Sequence, residues 1–305
     1  MLTIFTIPKP FIGHIGIIQR NAIKSWLDLT PECEIILYGD EKGIKEVADE
    51  YGLIHEPLIR KNQFGTPFLN YVFTHAQEKA KNDIVCYCNA DIIFFNGVIN
   101  AIQKIKVKKY LMVGKRWDVE MTVSLDTSKI GWRQELFSYA KVNYTVQNFP
   151  GMDYFIFPKK MILDMPSFVV GRSGWDNWMV YNARRLEIPV IDASPMVKVI
   201  HQNHSYNHVP HQKGKEWDGP ESKENLNLIR RRQMYLWKLA DADWILTPDG
   251  LMKKPFSFRT CWQVIVLSTP QKFHIFLEPF FRLGHAATYG MIKFKRLIKN
   301  WGNVQ

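Results

Sequence analysis

Three short stretches of this chain carry side chains that could bind a metal or move a proton. The first is Asn89-Ala90-Asp91, which ends the apolar run Ile84-Val85-Cys86-Tyr87-Cys88 and leads into Ile92-Ile93-Phe94-Phe95. A carboxylate at a strand's end can hold a divalent cation whose other positions are filled by substrate phosphates and water, as Mg2+ commonly is. The same pattern also serves as an Asx turn between two strands. The second stretch holds His201, His204, His208 and His211, four of the nine histidines. A histidine delivered by an apolar strand can complete a metal site opposite the carboxylate, and that ligand pair suits Mn2+ better than Ca2+. The bland alternative is a polar loop whose imidazoles cap backbone carbonyls. A zinc hydrolase is disfavoured, because no His-Glu-x-x-His accompanies them. The third is Gly174-Trp175-Asp176-Asn177-Trp178 at a helix start. Asp176 there can simply complement the helix dipole. Alternatively it takes a proton from a hydroxyl while flat indole faces stack on a sugar ring.

The elements that must position these residues alternate in type. Leu2 to Ile7 reads as a strand stopped by Pro8, with a helix over Ile17 to Leu29. Glu34 to Tyr38 is a second strand, followed by a helix over Glu41 to Tyr51 that Gly52 closes in a left-handed conformation. A helix over Pro67 to Lys81 precedes a third strand, Asp83 to Tyr87. Such alternation predicts an α/β fold with a mostly parallel sheet, whose ligands sit beyond the carboxyl ends of the strands. Past Phe95 the spacing predicts a helix to Lys106, strands at Tyr110 to Gly114 and Asp153 to Phe157, and a helix from Trp175 to Arg185. Short strands follow at Val190 to Asp192 and Val197 to Ile200. Ser205 to Glu221 has no periodicity and reads as a mobile loop, with Lys213 and Lys215 flanking Gly214. Residues 1–250 form one expected domain, with 251–305 an appendage.

Composition narrows the function classes. With 305 residues, 46% of them apolar, the chain can bury a core without staples. Cys33, Cys86, Cys88 and Cys261 form no disulfide framework, and Cys86 and Cys88 share one face of their strand as packing residues. No apolar run is long enough to span a bilayer, and Pro8 interrupts the N-terminus too early for a signal-peptide core. A reduced, cytoplasmic protein is expected. Gly13-His14-Ile15-Gly16 is too short to be a phosphate loop, and no nucleophilic Ser or Cys motif is present.

Together these pieces resemble nucleotide-sugar glycosyltransferases of the GT-A type, in particular uncharacterised bacterial members. The matching runs are residues 113–118 (Val-Gly-Lys-Arg-Trp-Asp), 151–158 (Gly-Met-Asp-Tyr-Phe-Ile-Phe-Pro), 174–178 and 201–208, with Asn89-Ala90-Asp91 in place of the usual Asp-x-Asp. The resemblance implies a Rossmann-like, mostly parallel sheet flanked by helices, with a C-terminal helical appendage. It also implies a donor site for a nucleoside-diphosphate sugar made by Thr6, Ile7, Pro8, Asp40, Asn89 and Arg116, with Lys213 and Lys215 reaching the diphosphate. Asp91, His201 and His204 would hold Mn2+ or Mg2+. Asp176 and Asp153 would carry the chemistry, with Trp175 and Asn177 facing a glycan or glycolipid acceptor. Asp176 is the candidate base of an inverting reaction.

The formal charge of +11 calls for an anionic partner. Between Gln271 and Gln305 six basic residues face Glu278 alone, so the excess is concentrated in the tail. A helix over Thr288 to Trp301 would align Phe294, Leu297, Ile298 and Trp301 on one side, with lysines around them. That predicts peripheral attachment to the anionic inner face of a membrane. A nucleic-acid-binding protein is a competing class, disfavoured because no nucleic-acid module appears. A sugar-phosphate nucleotidyltransferase would carry a glycine-rich basic loop where this chain has Pro8-Lys9-Pro10-Phe11.

Overall fold

The computed structural model describes residues 1–145, 151–162, 164–204, 219–229 and 236–280. In the first half, the elements are β1 (Leu2–Thr6), α1 (Gly13–Leu27), β2 (Glu34–Tyr38), α2 (Ile44–Tyr51), β3 (Ile54–Glu56), α3 (Leu69–Lys79), β4 (Ile84–Cys88), β5 (Ile92–Phe94) and α4 (Gly97–Lys104). The chain continues with β6 (Leu111–Val113), β7 (Trp117–Val119), α5 (Trp132–Asn143), β8 (Tyr154–Pro158), α6 (Trp175–Arg185), β9 (Val190–Asp192) and β10 (Val199–Gln202). The last elements are α7 (Pro220–Leu228), β11 (Trp244–Thr247), β12 (Gly250–Lys253) and α8 (Phe258–Ser268).

Nine strands form one sheet in the order β12-β11-β9-β6-β8-β4-β1-β2-β3. Most pairs are parallel; β8 runs antiparallel to β4 and β6, and β12 to β11. This is the mixed, mostly parallel α/β sheet that the alternation predicts. Alternate side chains of each strand enter opposite cores, as a pleated strand requires. Phe5, Tyr87 and Phe157 pack on one face with α3 and α6, while Ile4, Cys86, Cys88 and Ile156 pack on the other with α1, α2 and α4. The two cysteines are therefore core residues, as expected. Phe73 on α3 lies among the rings of Phe5, Tyr87, Phe157 and Trp175 at centroid distances of 5.1, 5.1, 6.0 and 6.3 Å. Truncating such a ring to alanine costs about 3–5 kcal/mol.

The chain winds outward from β1 through β2 to β3, then returns through α3 to place β4 on the other side of β1. The order reverses there, and ligands bind α/β sheets beyond the strand ends at such a point. A second sheet, β5-β10-β7, has β10 parallel to β7 and antiparallel to β5, and its β5 follows β4 directly in the chain.

Several boundaries differ from expectation. Gly52 does close α2 with a left-handed φ of 65°. His201 lies inside β10, not beyond it, because pairing with both β5 and β7 extends the strand to Gln202. The stretch before Asp153, to which the spacing assigns no element, contains α5, whose Trp132, Leu136 and Ala140 pack against the small sheet. Pro220 and Glu221 open α7, with Pro at the first helical turn, so the expected loop does not reach Glu221. The large sheet runs past residue 250, since β12 pairs with β11 from Gly250 to Lys253.

Candidate active site

Backbone pairing brings the candidate residues together. Asn89 follows β4 and Asp153 precedes its antiparallel neighbour β8, so the Asn89 amide N–H donates to the Asp153 carbonyl at 2.9 Å. The Asn89 side-chain amide also donates to Asp153 Oδ1 at 2.9 Å, and Arg116 Nη1 donates to Asp153 Oδ2 at 2.6 Å. In the small sheet the register sets His201 beside Asp118. Their side chains meet at 2.8 Å between Nδ1 and Oδ1, and Arg116 Nε lies 3.0 Å from the same Asp118 oxygen. One guanidinium thus braces two buried carboxylates. Gly151 lies against it: a Cβ there would come within 2.9 Å of the Arg116 guanidinium carbon and of Asp153 Oδ2.

Asp91 faces the histidines. Its Oδ2 is 3.0 Å from His204 Nε2 and 3.7 Å from His201 Nε2. Ligand atoms of Asp91, His201 and His204 all lie within 4.8 Å of one another. Cis ligands about 2.1 Å from a metal are about 3 Å apart and trans ligands about 4.2 Å, so the spacing fits one cation. Two further features fit it. Asp91 Oδ1 is buried with no hydrogen-bond partner among the described residues. Asp118 Oδ1, 2.8 Å from His201 Nδ1, stands where a carboxylate backs a metal-bound histidine, although the two atoms do not meet at hydrogen-bonding angles. The electrostatics are those of a compact charge cluster. Burial alone would raise the Asp91 carboxyl, but the His201, His204 and Lys9 charges hold it well below the ordinary carboxylate range. Burial would lower His201, yet Asp91 and Asp118 outweigh it and the imidazole titrates above its usual value.

Asp176 occupies the first turn of α6, whose N-cap, Gly174, takes a left-handed φ of 102°. Burial pushes its carboxyl up to about 6; backbone N–H groups of the turn oppose the shift and the Asp153 charge adds to it. A carboxylate poised there is a stronger base at neutral pH than an ordinary aspartate.

Other expected site residues are placed differently. The Trp175 ring is 6% exposed and packed against Phe73, Tyr87 and Phe155, so it fills the core and offers no face to a sugar. The Asn177 amide donates to the Trp237 carbonyl at 2.7 Å, which commits it to holding residues 236–241. Both Asp153 oxygens accept hydrogen bonds, so this residue orients Asn89 and Arg116. Arg116, bound to two carboxylates, braces the cluster; reaching a donor would break those pairs. At the end of β1, Thr6 and Pro8 are buried and Ile7 is half-buried, so Ile7 is the accessible one of the three. Asp40 is exposed on the turn after β2 and pairs with Lys61 at 2.5 Å. His208, His211, Lys213, Lys215 and the helix expected over Thr288 to Trp301 lie outside the described residues.

Two residues of the cluster were not marked by sequence spacing. Asp118 shows as an acid alternating with Trp117 and Val119, a pattern with weak weight in a three-residue strand. Lys9, whose Nζ lies 3.4 Å from His204 Nε2, is a basic residue directly after β1.

No family model matches the chain, and no curated protein matches it in sequence. Solved structures resemble it remotely. One from Desulfovibrio desulfuricans G20, assigned as a nucleotide-diphospho-sugar transferase, is 12% identical over 75% of this chain and 97% of its own, with a TM-score of 0.43. The mannosyltransferase PcManGT from Pyrobaculum calidifontis, solved with GDP-Man and Mn2+, is 11% identical over 71% of this chain and 59% of its own, with a TM-score of 0.42. TarS 1–349 from S. aureus, solved with UDP, is 14% identical over 65% of this chain and 60% of its own, with a TM-score of 0.41. The chain thus spans about three fifths of the latter two.

Proposed function

We propose that the protein is a glycosyltransferase that moves a sugar from a nucleoside-diphosphate donor onto a hydroxyl of a cell-envelope polysaccharide or glycolipid precursor, at the inner face of a membrane. The observation that carries this is the meeting of Asp91, His201 and His204 at the point where the strand order of the sheet reverses. The ordered motifs that resemble GT-A enzymes point the same way.

Asp91 through its carboxylate, and His201 and His204 through Nε2, would hold a divalent cation, Mn2+ being the better match to imidazole and Mg2+ the alternative. When bound, such an ion offsets the negative charge that gathers on a departing diphosphate. Asp118 would keep His201 in the required tautomer, and Arg116 offsets the charges of Asp118 and Asp153. Asn89, held by Asp153, stands at the end of β4, where the diphosphate would arrive. Asp40, on the turn after β2, and Ile7 would meet the nucleoside. In an inverting displacement, the bond between the anomeric carbon and the diphosphate oxygen breaks with its electron pair leaving on the nucleotide. The acceptor oxygen bonds to that carbon, and its proton passes to the Asp176 carboxylate. Lys213 and Lys215 belong to this proposal as further diphosphate contacts.

Calorimetric titration with UDP and GDP, with and without Mn2+, tests the assignment. Mn2+ should tighten binding of one nucleotide to the wild type and have no effect on Asp91→Ala. A protein that binds neither nucleotide under any of these conditions removes the proposed function.

A further inference from the structure

Charge and apolar exposure coincide at one end of the chain. Of the residues from 251 to 305, nine are Lys or Arg against Glu278 alone, so this stretch holds +8 of the net +11. Within its described part, Phe256, Val264, Ile265, Phe276 and Phe280 are 75, 51, 42, 69 and 63% exposed. Solvating so many large apolar side chains in one stretch is unfavourable unless another surface covers them.

α8 explains why they face outward. Ser257 caps its N-terminus, accepting from the Thr260 N–H at 3.2 Å. Its inward face is fixed to the body: Val266 joins the core, Gln263 Nε2 donates to Asp241 Oδ1 at 2.5 Å, and Arg259 pairs with Asp241. That anchoring leaves Val264 and Ile265 on the opposite side. Residues 274–280 are helical again, with His274 turned inward and Phe276 and Phe280, four apart, sharing an exposed side. No described helix is long and apolar enough to cross a membrane.

We propose that these side chains dock on an anionic lipid bilayer, with Val264, Ile265, Phe276 and Phe280 entering the interface and the basic excess of residues 251–305 drawing the chain to the headgroups. Aliphatic and aromatic side chains beside a strong positive excess fit a lipid surface, which takes up both. Nucleic acid would answer the charge and leave Val264 and Ile265 in water. The docking face also shares a support with the candidate base. Asp241, which anchors α8, accepts from the Lys238 N–H at 2.8 Å, and the neighbouring Trp237 carbonyl accepts from Asn177, next to Asp176. The link to a lipid-borne acceptor rests on the proposed transferase function; the docking itself does not.

The test is co-sedimentation of the full chain with vesicles of phosphatidylglycerol and phosphatidylcholine, or phosphatidylcholine alone, at low and high salt. Wild type should pellet with the anionic vesicles at low salt and be released by high salt. Phe276→Ser with Phe280→Ser should weaken binding by roughly 100-fold, from two lost aromatic insertions, with an unchanged melting temperature. Val264→Ser with Ile265→Ser should weaken it independently. Wild type that stays in the supernatant with anionic vesicles at low salt overturns the proposal. So does vesicle binding that both double variants retain, or their conversion of a dimer to a monomer with lipid binding unchanged. Preferential capture of an RNA oligomer, unaffected by either pair, also overturns it. Nucleotide titration of the same samples reports the donor site separately, so failure of one claim is distinguishable from failure of the other.

Discussion

Replacing Asp176 by asparagine should make the protein more stable while abolishing its activity. The carboxyl, ordinarily near 3.8, is pushed up to about 6 in the fold. A raised acid binds its proton more tightly folded than unfolded, so ionisation works against the fold. That cost is small below the unfolded value, grows as pH rises towards 6, and is complete above it. Raising the carboxyl from 3.8 to about 6 makes its ionisation cost up to about 3 kcal/mol at pH 8. The same linkage leaves about 1 kcal/mol at pH 4.5. The asparagine side chain keeps an oxygen for the backbone N–H groups of the turn and carries no charge, so Asp176→Asn should gain those amounts. Other titrating groups are common to both proteins and cancel in the difference. Urea unfolding of wild type and variant at pH 8 and pH 4.5 measures it. Transfer should fall at least roughly 100-fold, as on losing a general base. A variant no more stable than wild type at pH 8, or stabilised equally at both pH values, would refute the electrostatic account of Asp176. Full turnover in the variant would refute its role as base.

Further perturbations separate the parts of the cluster. Asp91→Ala should lose Mn2+ binding, read by electron paramagnetic resonance, and lose transfer while remaining folded. Asp118→Asn should weaken Mn2+ by about 10- to 100-fold, because His201 loses the partner that sets its tautomer; unchanged affinity would show that the 2.8 Å contact does not position the ring. Gly151→Ala should lower activity with little change in melting temperature, since the added methyl meets the pinned ends of Arg116 and Asp153. Normal turnover would mean that this pair adjusts freely.

Much of the fold was legible because it follows from chain-local chemistry. β2 and α6 fall where the apolar runs and the Gly174 cap place them, and Asp91, directly after β4, meets His201 and His204. What escaped the sequence depends on pairing between distant segments. Asp118 becomes a partner of His201 only through the β7–β10 register, which no local pattern encodes. Trp175 looks like a sugar platform beside Asp176, but an indole in the first turn of a helix that packs on the sheet is captured by Phe73, Tyr87 and Phe155. The resemblance gives Arg116 to the donor and Asp153 to the chemistry. Burial makes each the other's counter-charge, since an unpaired buried ion costs far more than the pair.

Donor cleavage should take place at a cation held by Asp91, His201 and His204. Its most direct test incubates wild type and Asp91→Ala with a panel of nucleoside-diphosphate sugars and Mn2+, with or without chelator, and measures free UDP or GDP. Release from one donor by wild type alone, abolished by chelation, is the expected result. Equal release by Asp91→Ala, or no release from any donor by a wild type that binds Mn2+, would contradict it.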